Sequence, residues 1–410
     1  MNRVVVSGMA GISPVGTGWE AIHAAMQARR NGVVRMSEWD YCEGINTRLA
    51  APVQDFVVPD TYSRKRIRSM GRVSLLAVRS AEMALEQAGL LGDPCLTDGS
   101  TGVAYGSSTG STPAIGAFNN LARTGEMKGI TATSYIQMMS HTCAVNLGLF
   151  FEIKGRIVPT CSACTSGSQA IGLAFEAIKF GIQDVFIAGG AEELCITEAA
   201  VFDVLYATST KNETPAETPC PFDTDRDGLV IGEGAATLIL ENYDHAKARG
   251  ATIYAEVVGF GYNADGNHVT APQAPMMKRA MELGLECASL PPEAIGYVNA
   301  HATATRMGDI AESTATANLF GSRMPVNSLK SYFGHTLGAS GSLEAWLSIE
   351  FMNRNWYPPT INLKQVDPEC GELDYLKEAR EMDLEYVMSN NFAFGGINTS
   401  LIFKSWREAS

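Results

Sequence analysis

The chain has 410 residues and a net charge of −13, with 46% apolar and 18% charged residues. This ordinary globular composition has room for about two to three domains, and the acidic balance disfavours nucleic acid, whose phosphates need clustered Lys and Arg. Nine cysteines without regular spacing argue against a disulfide framework, and no apolar run reaches the roughly 18 residues of a membrane span.

The chain opens on Val4–Val6, too short for a secretory apolar region, so the sequence reads as a first strand of a cytoplasmic protein. Further strands are expected at Gly102–Tyr105, Ile157–Pro159, Val185–Ala188, Ala236–Leu240, Tyr254–Gly259, Ile295–Asn299, Val326–Leu329 and Thr399–Phe403. Most are continuously apolar, as in sheets covered on both faces. Helical periodicity falls between them, at Val73–Ala88, Ser168–Phe180, Met276–Leu285, Asp309–Leu319 and Ser342–Asn353. This alternation predicts an α/β fold with layered sheets.

The two halves share a pattern. Ile157–Pro159 leads through small residues into the helix at Ser168, and Val326–Leu329 leads through Lys330–Ser342 into another. Gly189-Gly190 and Gly395-Gly396 each precede a later strand. The pattern suggests a duplication, residues 1–250 and 251–410, joined near Arg249-Gly250.

Cys164 stands where a strand turns into a helix and is followed by Thr165-Ser166-Gly167-Ser168, small enough for another molecule to approach. A helix N-terminus favours a thiolate and can hold an oxyanion. The bland reading, a buried structural cysteine, fits most of the nine better than this one. Cys161 and Cys164 also form C-x-x-C, but zinc would need a second pair or two histidines at ligand spacing; a redox pair remains an alternative. His301 and His335 each lie just past a strand, where α/β folds place their sites. Of the others, His23 and His245 read as solvated, His141 as packing and His268 as a loop residue. A thiol and two imidazoles suit acyl transfer from a thioester to Cys164, then loss of CO2 from a second thioester to an enolate held by two neutral imidazoles. Lys330 adds positive charge nearby. Asp223–Gly228 imitates the start of an EF-hand loop, but Gly234 occupies the position of the bidentate Glu, so it reads as a turn and no metal is expected.

Together these stretches closely resemble the elongating β-ketoacyl-acyl-carrier-protein synthases, over essentially the whole chain. The resemblance rests on Ser162-Ala163-Cys164, Gly189-Gly190-Ala191-Glu192-Glu193, Arg226-Asp227-Gly228, Asn299-Ala300-His301, Lys330 with Gly334-His335, and Asn391-Phe392-Ala393-Phe394-Gly395-Gly396. It implies a thiolase-like, five-layered αβαβα fold of two similar halves, in a homodimer or a heterodimer with a homologous chain-length-factor-like subunit. It implies Cys164 as acyl carrier, His301 and His335 as decarboxylation and condensation residues, Lys330 as their electrostatic support and Glu344 as an ordering residue. The N–H groups of Cys164 and Phe394 would form an oxyanion hole, with Phe392 and Phe394 as the gate. Thr303, Thr305 and Thr270 would hold the pantetheine arm, and Phe202 and Thr109 would line the acyl pocket. No cofactor is implied, since substrates arrive on the phosphopantetheine arm of an acyl carrier protein. Lys65, Arg68, Lys128 and Lys211 match positions that dock this acidic partner, with Arg72 one turn beyond Arg68; the plainer meaning of such a charge run is a solvated helix face.

Ala302, Arg306, Ala393, Ile397 and Tyr332-Phe333 depart from the family pattern and suggest a stiffer gate and bulkier pocket walls. The substrate therefore stays open between fatty-acid synthesis and a related polyene or polyketide route. A thiolase would need a second cysteine near the C-terminal glycine turn, whereas the last is Cys370. A non-enzymatic chain-length factor would lack the nucleophile, so the alternative reading is the active subunit of a heterodimer with one.

Overall fold

Ten strands carry the architecture of the computed structural model, which describes residues 1–407. The first five are β1 (Val4–Ser13), β2 (Thr101–Gly106), β3 (Ile157–Thr160), β4 (Val185–Glu192) and β5 (Gly234–Asn242). The second five are β6 (Ala255–Ala264), β7 (Ile295–Asn299), β8 (Pro325–Asn327), β9 (Tyr386–Ala393) and β10 (Ile397–Ser405). In space the first set runs β3-β2-β4-β5-β1 and the second β8-β7-β9-β10-β6. In both, the first three neighbours are parallel and the last two pairings antiparallel. A register shift also recurs, between Val6 and Gly8 on β1 and between Val257 and Gly259 on β6. The repeats join where β1 pairs antiparallel with β6 at Val4–Val6.

Seven helices complete the layers: α1 (Arg72–Ala88), α2 (Thr142–Phe150), α3 (Ser166–Lys179), α4 (Ile196–Asp203), α5 (Ala274–Ala288), α6 (Arg306–Phe320) and α7 (Ser340–Arg354). α1 and α2 pack on the first set of strands, and α5, itself packed on α6, covers the second. α3 and α7 lie against each other between the sets, giving the expected αβαβα arrangement. α1 is one-sided, burying Val73, Leu76, Ala77, Ala81, Ala84, Leu85 and Ala88. α7, at the centre, is buried without a break from Ser340 to Met352.

The small residues around Cys164 have a different cause from the one expected. They let α3 and α7 approach. A Cβ on Gly167 would stand 2.8 Å from Ser342 N, one on Gly341 2.6 Å from Ser168 N, and one on Gly190 2.2 Å from Gly338 O. Ser168 Oγ is 2.7 Å from Thr399 Oγ1. These residues are buried packing, not a landing surface.

Strand lengths differ from expectation for the same reason. β1 runs on past Val6 because its glycines mark close contacts and not an end. A Cβ on Gly8 would meet Ala84 O at 2.3 Å, and one on Gly11 the Trp346 ring at 2.4 Å. The segment expected to reach Leu329 stops at Asn327, and Lys330–Phe333 forms a single helical turn. β9 has no apolar signature because Ser389, Asn390 and Asn391 are buried polar residues in a central strand. Tyr332 and Phe333 are fully buried in the core and do not wall the cavity. His23 is half-buried, not free in solvent: it stacks on Trp19 with centroids 4.8 Å apart and meets Trp356 edge-on at 4.7 Å. His245 is half-buried against Glu241 at 2.6 Å. Among the described residues no helix is long and apolar enough to cross a membrane.

Candidate active site

Each repeat turns into its central helix the same way. Ala163 at φ 50° precedes α3, and Leu337 at φ 43° precedes α7. Counted from the helix starts at Ser166 and Ser340, Cys164 and Gly338 hold equivalent places. A non-glycine residue at positive φ costs on the order of 1–3 kcal/mol and persists only where its surroundings enforce it. Here the enforcement is local: Thr165 Oγ1 donates to Ser162 O at 2.8 Å and Ser166 Oγ to Ala163 O at 2.8 Å. The result is a thiol held at the interface between the repeats.

The second repeat brings both imidazoles to it. His335 Nε2 lies 2.9 Å from Cys164 Sγ, and the two imidazole rings meet edge-on with centroids 5.2 Å apart. The sulfur and one nitrogen of each ring lie within 4.8 Å of one another, all buried. Among the described residues this is the one grouping of Cys, His, Asp or Glu compact enough to hold a metal ion. The Asp223–Gly228 turn is not such a grouping, because Asp223 Oδ2 accepts the N–H groups of Lys364 at 2.6 Å and Gln365 at 2.8 Å.

The imidazole tautomers follow from their other neighbours. Glu344 Oε2 accepts from Asn391 Nδ2 at 2.6 Å, which fixes the amide; the same Nδ2 lies 3.4 Å from His301 Nδ1. His301 Nδ1 is thus an acceptor and its Nε2 carries the proton. His335 Nδ1 meets Ser340 Oγ at 3.0 Å, a rotor that accommodates either tautomer. Lys330 and Glu344, both wholly inaccessible, form an ion pair behind the imidazoles. Burial first, then the Lys330 charge, pushes both imidazoles well below the usual histidine range, so both are neutral at physiological pH.

The thiol departs from expectation. Burial pushes Cys164 up to about 11, outweighing the stabilising Phe394 N–H, the Lys330 charge and its own N–H. The helix-terminus donors are present, but desolvation wins, and the resting group is a thiol. Those two N–H groups, of Cys164 and Phe394, favour negative charge at the sulfur.

A cavity of about 410 Å³ leads to this centre. Cys164, His301, His335, Thr270, Thr303, Thr305, Phe202, Phe392 and Phe394 all line it. Thr303 and Thr305 share a hydroxyl contact at 2.9 Å. Phe202 and Phe394 pack with centroids 4.9 Å apart, in one apolar cluster with the thiol. The β9–β10 hairpin that carries Phe394 turns through Gly395 at φ 86° and Gly396 at φ 71°, angles that favour glycine. It is tied to the 265–269 loop by Asp265 N–H to Gly396 O at 2.7 Å and Gly395 N–H to Val269 O at 3.0 Å.

Other expected residues lie elsewhere. Thr109 does not line the cavity; its hydroxyl donates to Glu198 Oε1 at 3.0 Å. None of Lys65, Arg68, Lys128 and Lys211 lines it either. Lys65, Arg68 and Lys128 are exposed, whereas Lys211 donates to Asp225 O at 2.9 Å. Arg72 is spent on Glu233, at 2.5 Å. Cys161 is exposed while Cys164 is buried, with its sulfur facing His335.

Glu312 went unnoticed in the sequence. Its carboxylate accepts the N–H of His301 at 2.8 Å and of Ala302 at 2.7 Å, clamping the imidazole loop. Burial raises it to about 8. The available signal was a polar stripe on α6, Asp309, Glu312, Ser313 and Thr316, at helical spacing and all buried.

A duplicated αβαβα fold with a buried thiol and two neutral imidazoles at the repeat interface defines a thiolase-like acyltransferase. The model of the beta-ketoacyl synthase N-terminal domain matches residues 1–246, and that of the C-terminal domain residues 254–364. The chain belongs to the beta-ketoacyl synthase family of condensing enzymes. It is 61% identical to a solved beta-ketoacyl synthase from Burkholderia phymatum STM815, with TM-score 0.98, covering 99% of this chain and 100% of that one. It is 37% identical to 3-oxoacyl-[acyl-carrier-protein] synthase 2 of Vibrio harveyi, over 99% of each chain. It is also similar to the ishigamide ketosynthase/chain length factor, at 30% identity and TM-score 0.90, over 99% of this chain and 100% of that one.

Proposed function

We propose that the protein transfers an acyl group from acyl carrier protein to Cys164 and condenses it with a malonyl unit, releasing CO2. The observation that carries this is the 2.9 Å approach of His335 Nε2 to the Cys164 sulfur, with His301 completing the group. In acylation the sulfur attacks the thioester carbonyl and its proton passes to His335. The oxyanion sits between the N–H groups of Cys164 and Phe394. Collapse expels the pantetheine thiolate, which takes that proton.

Malonyl thioester then enters along Thr303, Thr305 and Thr270. Its carboxylate leaves as CO2, and the bonding electrons form an enolate whose oxygen accepts from His301 Nε2, and from His335 once its proton has moved to Nε2, a tautomer the Ser340 hydroxyl allows. The Nε2 proton of His301, set by Asn391, suits this without a charge change. The enolate carbon attacks the acyl carbonyl; a C–C bond forms, the C–S bond breaks, and Cys164 leaves as a thiolate that takes one proton from water to restore the resting thiol. Burial, and then the Lys330 charge, keeps both rings neutral at rest. No bound cofactor takes part, since the pantetheine arm brings both substrates.

Intact-protein mass spectrometry after incubation with acyl carrier proteins tests the reading. The mass gain of one acyl group should vanish in Cys164→Ala. His301→Ala should still be acylated but lose at least about 100-fold in CO2 release. Acylation surviving in Cys164→Ala, or undiminished CO2 release in His301→Ala, would overturn it.

The assembly is proposed to be a dimer, of two copies or with a homologous chain-length-factor-like subunit. β3 is an edge strand paired only with β2; its own Ile157 is exposed, as is Leu149 on the neighbouring α2. An unpaired edge with apolar neighbours invites strand addition. Exposed Lys65, Arg68 and Lys128 are left to meet the acidic carrier protein. A cytoplasmic location is proposed with this role.

A further inference from the structure

Behind Phe202 lie polar groups that the chemistry above does not use. Glu198 precedes Phe202 by one turn on the buried face of α4 and is 5% exposed. Its Oε1 accepts from Thr109, and its Oε2 has no partner. Ser108, next to Thr109, also has a buried hydroxyl without a partner. The loop is not free to rearrange, because Glu192 holds the Ser108 N–H at 2.8 Å and the Gly338 N–H at 2.9 Å.

Phe202 links this cluster to the thiol. It lines the cavity with Cys164 and packs with Cys164 and Ala199 in one apolar group. Phe202 and Phe394 line the cavity, and neither Glu198 nor Thr109 does. An acyl chain on Cys164 that turned Phe202 aside would run along α4 toward a carboxyl and two hydroxyls, not an aliphatic floor. A plain alkyl tail would leave those groups unpaired, which buried polar atoms resist.

We propose that Glu198, with Thr109 and Ser108, is the polar floor of the acyl pocket and selects acyl groups bearing a hydroxyl or carbonyl at their far end over plain alkyl chains. This rests on the reading of Cys164 as the acyl-bearing thiol. Burial holds the Glu198 carboxyl well above its usual range, so it is neutral and both donates and accepts. A site built to hydrogen-bond a substrate hydroxyl discriminates against the analogue that lacks it.

The test is the rate of acyl loading on Cys164, read by intact mass, from pantetheine thioesters of matched lengths ending in methyl or hydroxymethyl. At the length that reaches the floor, the wild type should load the hydroxylated chain at least about tenfold faster. Glu198→Met should abolish or reverse that preference, Glu198→Gln should keep it, and acetyl loading should be unchanged in both. No preference at any length, or one that persists in Glu198→Met, overturns the proposal. Should Glu198→Met not fold, the wild-type series still decides, because a preference for methyl ends at every length overturns it. Failure to load even acetyl on Cys164 would instead sink the reading of the thiol.

Discussion

At His301 and His335 the protein holds two imidazoles neutral by burying them beside a buried ammonium. That arrangement has a thermodynamic signature. Both folded-state pKa values are depressed, so below pH 6.5 the unfolded chain binds more protons than the folded one. Stability from these groups is therefore present above the ordinary histidine value and lost as pH falls below it. Glu312 has the opposite sign: raised to about 8, it favours the folded state less as pH rises from the ordinary carboxylate range through 8. Urea unfolding from pH 7 to 5 should show the wild type losing up to about 1.4 kcal/mol per pH unit per imidazole more than a His301→Asn, His335→Asn double variant. Parallel curves would mean the rings are not held neutral.

The central elements depend on glycine where α3 and α7 cross. Gly190 on β4 faces Gly338 O, and a methyl there would sit 2.2 Å from that oxygen and 3.0 Å from Gly167 Cα. Neither is the end of a flexible side chain, so relief requires the helices to part. Gly190→Ala should destabilise by about 1–3 kcal/mol in urea unfolding. It should also slow acyl loading, because Cys164 and Gly338 sit at the crossing. A variant as stable as the wild type would show that the two helices separate freely. The strands were legible wherever they were continuously apolar, as at Ile295–Asn299, which matches β7 residue for residue. They were not legible in β9, whose Ser389, Asn390 and Asn391 are buried and polar.

Across the whole molecule the sheet ends at β3 on one side, and the proposed dimer rests on this edge. Converting Leu149 and Ile157 to Arg would place charge along an apolar, unpaired edge. Light scattering of the wild type should give twice the chain mass, or the mass of a heterodimer when the homologous subunit is present, and the double variant should give a monomer. A monomeric wild type would remove this edge from consideration.

Residue type and local order alone revealed the two repeats, the thiol at a strand-to-helix turn, and the histidines past their strands. These are local signals, carried by apolar periodicity and by motif spacing. Only the tertiary structure decided which charged and polar groups act together. Lys330–Glu344–Asn391–His301 joins residues up to 90 apart in sequence. Glu312 clamps the loop eleven residues behind it, and Glu198 stands behind Phe202. Desolvation reversed the state expected of Cys164, from thiolate to thiol. The reason is common to all of these: burial and pairing belong to the space between elements, and a linear pattern does not contain that space.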